Sequence, residues 1–465
     1  MGLLRSRPLS TVALVGRPNV GKSSLFNALL REKRAVVDDM PGVTRDRHYA
    51  RIFLEGNREV SIVDTGGLEP DTTDPLISHI REQAMTAVQE ADVILFVVDA
   101  RAGVMGDDET IAEILRRSER PVIVVVNKGE GLGHGGGMEF YSLGLGEPAV
   151  VSAAHLQGIG DLKERLIEYL PEGAAPVVPE KLVEGEEVEP TVEVEKTVRL
   201  AVVGRPNVGK SSFINKLVGE ERMLAFDMPG TTRDSIDTPF TYRGRDLVLI
   251  DTAGIRRKSR IAMRVEKYAV VSAMRALDRA DVAILMIDAV EGLTDQDLRL
   301  GEIAQESGCS LLLLVNKIDL VEAGERERFR ENLRVALHAV GDLQVMEVSA
   351  LSGKNLHKVL GKVIELFDAA GQRIGTGELN RWLAQTQGAH PHPATPSGAS
   401  VKIRYLTQVA THPPTFVGFT NQPQAIQPTY LRYLIKNMRK DFKMPGCPIR
   451  FMWRKGQNPY DKKEG

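Results

Sequence analysis

The residues of this chain best suited to chemistry come as one stretch written twice. Gly16-Arg17-Pro18-Asn19-Val20-Gly21-Lys22-Ser23-Ser24 recurs unchanged as Gly204-Arg205-Pro206-Asn207-Val208-Gly209-Lys210-Ser211-Ser212, an offset of 188 residues. Glycine, four residues, glycine, lysine, hydroxyl is a spacing with a physical purpose. Small residues let successive backbone N–H groups converge, and converging N–H groups hold phosphate oxygens. The lysine ammonium neutralises the outer phosphates, and the hydroxyl of Ser23 or Ser211 binds magnesium. Each copy follows an apolar strand-length run and precedes a helical pattern, at 25–30 and 213–217.

Other pairs repeat at nearly the same offset. Asp64-Thr65-Gly66-Gly67 returns as Asp251-Thr252-Ala253-Gly254, Thr44 as Thr232, and Asn127-Lys128 as Asn316-Lys317. Asp64 and Asp251 end apolar strands, where a carboxylate reaches magnesium through water while the glycines behind it approach a γ-phosphate. Thr44 and Thr232 lie in glycine-bearing segments, and a threonine there ligates magnesium only when the γ-phosphate is present, which makes a switch. With Lys22 and Lys210 they are the candidate catalytic residues.

Base choice is expected from Asn316-Lys317-Ile318-Asp319. The aspartate can accept from both N1–H and the exocyclic amine of guanine, and adenine offers neither donor at that edge. The first copy reads Asn127-Lys128-Gly129-Glu130, with a side chain one methylene longer, so guanine is expected there with weaker affinity or looser specificity left open. Ser152-Ala153 and Ser349-Ala350 fit the last base-contacting loop, whose backbone N–H faces the base oxygen. Behind each Asp-x-x-Gly stretch stands an aliphatic residue, Leu68 or Ile255, where many regulatory GTPases place a glutamine to orient water. Hydrolysis must then lean on electrostatics or on a group supplied from outside.

Positioning these residues requires two copies of one domain. Apolar runs at 11–15, 60–63, 93–98 and 122–126, then at 198–203, 247–250, 282–287 and 311–315, alternate with helical patterns. That alternation predicts an α/β fold, a parallel sheet with helices on both faces, with the motifs at its carboxyl edge. The expected boundaries are a lead at 1–10, a first GTPase domain at 11–170, an acidic linker at 171–197, a second GTPase domain at 198–370, a basic domain at 371–456 and a tail at 457–465. The linker holds eight Glu and four Pro in 27 residues, a composition that suits a spacer.

Charge is uneven. Residues 371–465 hold 14 Lys/Arg against 4 Asp/Glu, while the whole chain of 465 residues is at −2. A basic end on an acidic body suggests a polyanionic partner. Within it the pattern reads helix, strand, strand, helix, strand. The second helix places Leu431, Leu434, Ile435 and Met438 on one side and Arg432, Lys436, Arg439, Lys440 and Lys443 on another. Val401, Ile403 and Tyr405 are expected on one face of a strand. Two cysteines, Cys309 and Cys447, are too few for a disulfide framework, which favours a reducing, cytoplasmic setting. No apolar run approaches membrane-span length, so no membrane is expected.

The twin Gly-Arg-Pro-Asn-Val-Gly-Lys-Ser loops, Pro41-Gly42-Val43-Thr44-Arg45-Asp46, Pro229-Gly230-Thr231-Thr232-Arg233-Asp234 and the stretch at 140–148 resemble the bacterial double-domain GTPases called Der or EngA, of the Era-like GTPase group, over nearly the whole chain. The resemblance implies two tandem P-loop GTPase domains and a small α+β KH-like domain at the C-terminus. It implies GTP and GDP as ligands, Mg2+ as cofactor, stimulation by K+ beside Asn19 and Asn207, and a monomer acting on ribosomal RNA and proteins in assembly of the large (50S) ribosomal subunit. No Gly-x-x-Gly turn occurs at 371–465, and KH modules clamp single strands with that turn, so contact with a ribosomal surface and packing on a GTPase domain both stay open. Two other readings also remain: a nucleotide-gated RNA- or protein-binding module in which only one domain hydrolyses GTP, and a GTPase in tRNA modification. The duplication argues against the latter, whose enzymes carry a single GTPase domain.

Overall fold

The computed structural model describes residues 10–31, 49–54, 58–64, 85, 88, 91–118, 120–130, 137–170, 197–218, 237–250, 273–274, 276–322, 324–337, 343–393 and 400–455. The first GTPase domain runs β1 (Ser10–Val15), α1 (Lys22–Arg31), β2 (Tyr49–Leu54), β3 (Arg58–Asp64), β4 (Val93–Asp99), α2 (Gly106–Arg116), β5 (Val122–Asn127), β6 (Ala149–Val150) and α3 (Ile159–Tyr169). Its sheet order is β2-β3-β1-β4-β5-β6.

The central strands are apolar on both faces because both are covered. Along β4, Val93, Leu95 and Val97 join Phe26 and Leu29 of α1 and Leu162 and Leu166 of α3. The alternate residues Ile94, Phe96 and Val98 meet Ile111 and Leu115 of α2 on the other face. Every β4 residue is buried, as a parallel strand between two helical layers requires.

The second GTPase domain repeats this with β7 (Val198–Val203), α4 (Lys210–Val218), β8 (Thr238–Tyr242), β9 (Arg245–Leu249), β10 (Val282–Asp288), α5 (Asp295–Glu306), β11 (Ser310–Asn316), α6 (Arg326–Leu337), β12 (Gln344–Glu347) and α7 (Leu356–Gly371). Its order, β8-β9-β7-β10-β11-β12 read from the same edge, matches the first. The expected parallel sheet is in fact mixed in both domains. β2 runs antiparallel to β3, and β8 to β9. Arg243 and Gly244, at φ of 50° and 76°, make the tight left-handed turn that joins two strands as a hairpin, and a hairpin fixes the edge strand antiparallel.

Residues beyond α7 form α8 (Thr376–Ala389), β13 (Ile403–Ala410), β14 (Thr415–Thr420), α9 (Pro428–Asp441) and β15 (Arg450–Lys455). β14 pairs antiparallel with β13 and parallel with β15. Leu379 and Trp382 of α8 and Leu434 and Met438 of α9 share one core with Phe416 and Phe451 of the sheet. The expected alternation of Ile403 with Tyr405 breaks at a register shift between them. Ile403 joins that core, and Tyr405 packs with Val409, Val417 and Phe419 instead, as an extra residue in one strand dictates. Arg432, Lys436, Lys440 and Lys443 are exposed. Arg439 leaves the expected stripe, because its Nε donates to the Cys447 carbonyl at 2.9 Å.

This small domain packs on the second GTPase domain. Leu311 N–H at the start of β11 donates to the Gly446 carbonyl at 3.0 Å, and Arg450 Nη2 donates to the Glu306 carbonyl at 2.9 Å. His412 stacks on Phe367 of α7 with ring centroids 4.1 Å apart. Gly446 has φ 68°, and a Cβ there would lie 2.8 Å from Leu311 O, so only glycine permits this approach. Both cysteines are buried free thiols. Among the described residues no helix is long and apolar enough to cross a membrane.

Candidate nucleotide sites

In each GTPase domain the phosphate loop leaves a buried strand, β1 or β7, and ends in the first turn of α1 or α4. The orphan N–H groups of a helix start face that loop, and the helix dipole adds partial positive charge. Asn19 and Asn207 take left-handed backbone, at φ of 65° and 64°, a conformation asparagine tolerates better than most residues. Lys22, 6% exposed, donates through Nζ to the carbonyls of Gly16 and Arg17 at 2.6 and 2.9 Å. Lys210 repeats this, donating to Gly204 O at 2.7 Å and to Arg205 O. Both ammonium groups are thereby held inside the curve of their loop.

Ser23, the second residue of α1, donates from Oγ to Asp64 Oδ2 at 2.8 Å. Asp64 is fully buried at the end of β3. The pair therefore offers two hard oxygens at the phosphate end of the site, a donor set that suits Mg2+. Ser211 holds the equivalent place in α4. Its expected partner Asp251, with Thr252, Ala253, Gly254 and Ile255, lies outside the described residues. So do Thr65, Gly66, Gly67 and Leu68, and the candidate switch residues Thr44 and Thr232.

The segments expected to receive the base converge on these loops. Asn127 Nδ2 donates to Val20 O at 3.0 Å while its Oδ1 accepts from Ala153 N–H at 3.1 Å. Asn316 does the same with Val208 O at 2.8 Å and Ala350 N–H at 2.9 Å. Each asparagine straps the phosphate loop to the Ser-Ala loop. It also explains a glycine, because a Cβ on Gly21 would lie 2.3 Å from Asn127 Nδ2, and one on Gly209 2.2 Å from Asn316 Nδ2. Lys128 Nζ reaches Asn19 O at 2.8 Å and Asp99 Oδ2 at 2.6 Å. Lys317 pairs with Asp288 at 2.6 Å.

Burial pushes the Asp99 carboxyl up, but the Lys128 ammonium and the Arg101 N–H outweigh it and hold the group below its ordinary value. Asp288 follows the same pattern with Lys317 and the Val290 N–H.

The two corners part at the carboxylate expected to select guanine. Asp319 is exposed on a short 3-10 turn, Ile318–Leu320. Glu130 accepts from Ser152 Oγ at 2.6 Å through Oε2 and pairs with Arg101 through Oε1. The Ser152 hydroxyl, the Glu130 backbone N–H and the Arg101 charge hold its carboxyl below the usual range.

Sequence reasoning missed four groups. Asp99 and Asp288 hold the lysines, and Asp108 and Asp297 hold the loop arginines. Arg17 Nε donates to Asp108 Oδ2 at 3.2 Å, and Arg205 Nε to both Asp297 oxygens at 3.1 and 3.0 Å. Burial raises the Asp108 carboxyl, with Arg17 acting against it. Aligning the copies would have found all four, since each pair keeps the offset of 189 that joins Asn127 to Asn316.

Comparison with known proteins agrees with the duplication. The family described as "50S ribosome-binding GTPase" matches residues 11–128 and again 199–317. The family described as "KH-domain-like of EngA bacterial GTPase enzymes, C-terminal" matches residues 373–454. The chain is 45% identical to GTPase Der of Moorella thermoacetica, over 97% of this chain and 99% of that one. It is 45% identical to GTPase Der of Caldanaerobacter subterraneus, over 94% and 97%, and 44% identical to GTPase Der of Myxococcus xanthus, over 97% of each. The chain belongs to the Der family of GTPases. Its reaction is therefore hydrolysis of GTP to GDP and phosphate, and its ligands are GTP and GDP. GTPases of this kind use Mg2+, and the Ser23–Asp64 pair of this Der-family chain supplies oxygen donors that fit it.

Proposed function

We propose that this chain binds Mg2+–GTP in both cradles and uses its hydrolysis to time release from an assembling large ribosomal subunit. The observation that carries the reading is the doubled site. Each copy joins a phosphate loop with an inward lysine, a strap asparagine and a base corner in one sheet of the same strand order. In this reading residues 16–23 and 204–211 cradle the phosphates, and Ser23, Asp64, Ser211 and Asp251 serve magnesium. Thr44 and Thr232 report the γ-phosphate. Glu130 and Asp319 read guanine, with Ser152-Ala153 and Ser349-Ala350 closing over the base.

Aliphatic Leu68 and Ile255 cannot orient water, so a monovalent cation beside Asn19 and Asn207 would offset charge that develops on the phosphates. The left-handed backbone accounts for both asparagines without an ion. Potassium dependence is therefore tested directly, by turnover in K+ against Na+ at equal ionic strength.

The polyanionic partner is ribosomal RNA with its proteins, met by a surface that includes the exposed cations of α9. Depleting the protein should accumulate large-subunit precursors in ribosome profiles, and purified protein should associate with large subunits more strongly in a non-hydrolysable GTP analogue than in GDP. Normal profiles would remove the assembly role and leave the GTPase.

A second reading, in which one domain hydrolyses and the other binds GTP as a regulatory ligand, is favoured by one difference. Only the first domain carries glutamate at the base corner, already engaged by an arginine.

A further inference from the structure

Among the described residues the contact between Arg101 and Glu130 has no counterpart in the second domain. Arg101 lies two residues past Asp99 at the end of β4, its side chain 68% exposed and that of Glu130 25% exposed. The same place in the second domain is Val290, 62% exposed. The serines differ too. Ser152 gives its hydroxyl proton to Glu130, whereas Ser349 Oγ accepts from Ser352 N–H at 3.1 Å.

We infer that Arg101 is a positioning residue that sets the base specificity of the first domain, by pinning a carboxylate that is one methylene too long to be placed by its backbone alone. The inference rests on the reading that the 127–130 segment receives guanine. Glutamate has one more rotatable bond than aspartate, so a free Glu130 would spread over more positions at the base edge. Here both oxygens are fixed, Oε2 by Ser152 and Oε1 by Arg101. A carboxylate accepts about four hydrogen bonds. Ser152 and Arg101 each take a place on one oxygen, the Glu130 backbone N–H adds to them, and the acceptor capacity that remains is left for the donors of guanine, N1–H and the exocyclic amine. Asp319 needs no such brace, because its shorter side chain stands on a 3-10 turn.

The test uses the full chain carrying Lys210→Ala, so that the first site is read alone, and titrates fluorescent GDP against unlabelled GDP and IDP. IDP lacks the exocyclic amine. Arg101→Ala should cut the preference for GDP over IDP about two- to fivefold, the range open to an exposed ion pair. In a Glu130→Asp background the same change should leave the preference where it was, because the shorter carboxylate no longer depends on the brace. An unchanged preference in the Glu130 protein, an equal loss in both backgrounds, or tighter GDP binding on losing Arg101 would each overturn the proposal. Tighter binding would make the arginine a competitor for the carboxylate. Failure of the underlying reading looks different: Glu130→Ala itself would then leave the preference untouched. The exposure of Arg101 makes its replacement safe for folding.

Discussion

The two GTPase domains agree in their phosphate loops and differ at their base corners. Ten consecutive residues, from Val15 and from Val203 onward, are identical around the two lysines, and the lysines donate to the same two loop carbonyls. At the other end of the site, the second domain has aspartate on a 3-10 turn where the first has glutamate braced by arginine and serine. A phosphate is bound mostly by backbone N–H groups, so its loop depends on a backbone path that few sequences can follow. A base edge is read by one side chain, and a different side chain with a different brace can serve there. Identical loops with unlike corners therefore place the difference between the two domains at the end proposed to read the base.

The largest effect expected from breaking this pair is at the lysines. Lys22→Ala and Lys210→Ala should each remove one of two bound nucleotides, weakening that site by about a hundredfold, since each deletes a charged donor enclosed by its loop. Calorimetric stoichiometry falling from two to one in either variant checks the binding. Turnover should fall further in Lys210→Ala, because the second domain keeps the aspartate corner. Equal losses would show two equivalent enzymes and end the divided reading.

Next come the straps. Asn127→Ala and Asn316→Ala each strand a buried carbonyl and a buried N–H, at about 1–3 kcal/mol for each unpaired group. Both variants should lose roughly 2–6 kcal/mol from the affected domain in urea unfolding, and by similar amounts, because the two straps share their geometry. A twofold difference between them would mean that the loops behind them are not equally rigid.

These straps mark where the sequence stops being legible. Repetition at a nearly constant offset revealed the duplication, the α/β class and its main strands followed from apolar runs with motifs at their ends though the strand order and the antiparallel edges did not, and the loop lysines and Ser23 stood out by type and spacing. Asn127 and Asn316 were picked as base contacts, and their binding to the backbone of another loop comes from a fold no spacing displays. Asp108 and Asp297 sit in helices whose charges look like solvated faces. Only the sheet order brings them beneath Arg17 and Arg205 with fully buried carboxylates. The bulge that turns Tyr405 away from Ile403 was hidden for another reason. An alternating pattern fixes which face a residue takes only while the register is unbroken.

The helix that holds each arginine gives a third, smaller test. In the second domain Thr294 caps α5, its Oγ donating to Asp297 Oδ2 at 2.8 Å and accepting from Asp297 N–H at 3.4 Å. In the first, Met105 fills that place with no side-chain oxygen, and Asp108 Oδ1 is buried without a partner. Met105→Thr should import the missing cap and raise the stability of the first domain by about 1 kcal/mol, since a methionine that is 47% exposed gives up little on leaving. No gain in thermal midpoint would mean that α2 cannot orient the hydroxyl as α5 does.

The smallest effect concerns protons, and it tests a point where the domains should be alike. The native state keeps Asp99 ionised more readily than the unfolded chain does, because Lys128 and the Arg101 N–H outweigh burial. Its contribution to stability is present above the unfolded value of 3.8 and is lost as pH falls through the lower folded value. Lys128→Met removes the main opposing group and leaves only the Arg101 N–H and the Arg17 charge against burial, so the folded value should rise toward the unfolded one. The contribution then shrinks, a change of no more than about 1 kcal/mol at neutral pH. Carbon-detected titration of the carboxyl groups in nucleotide-free protein reads this directly, and Lys317→Met should move Asp288 in the same direction. An upward move at Asp99 with none at Asp288 would extend the divergence of the two domains from the base edge down to the lysine that ties it to the phosphate loop.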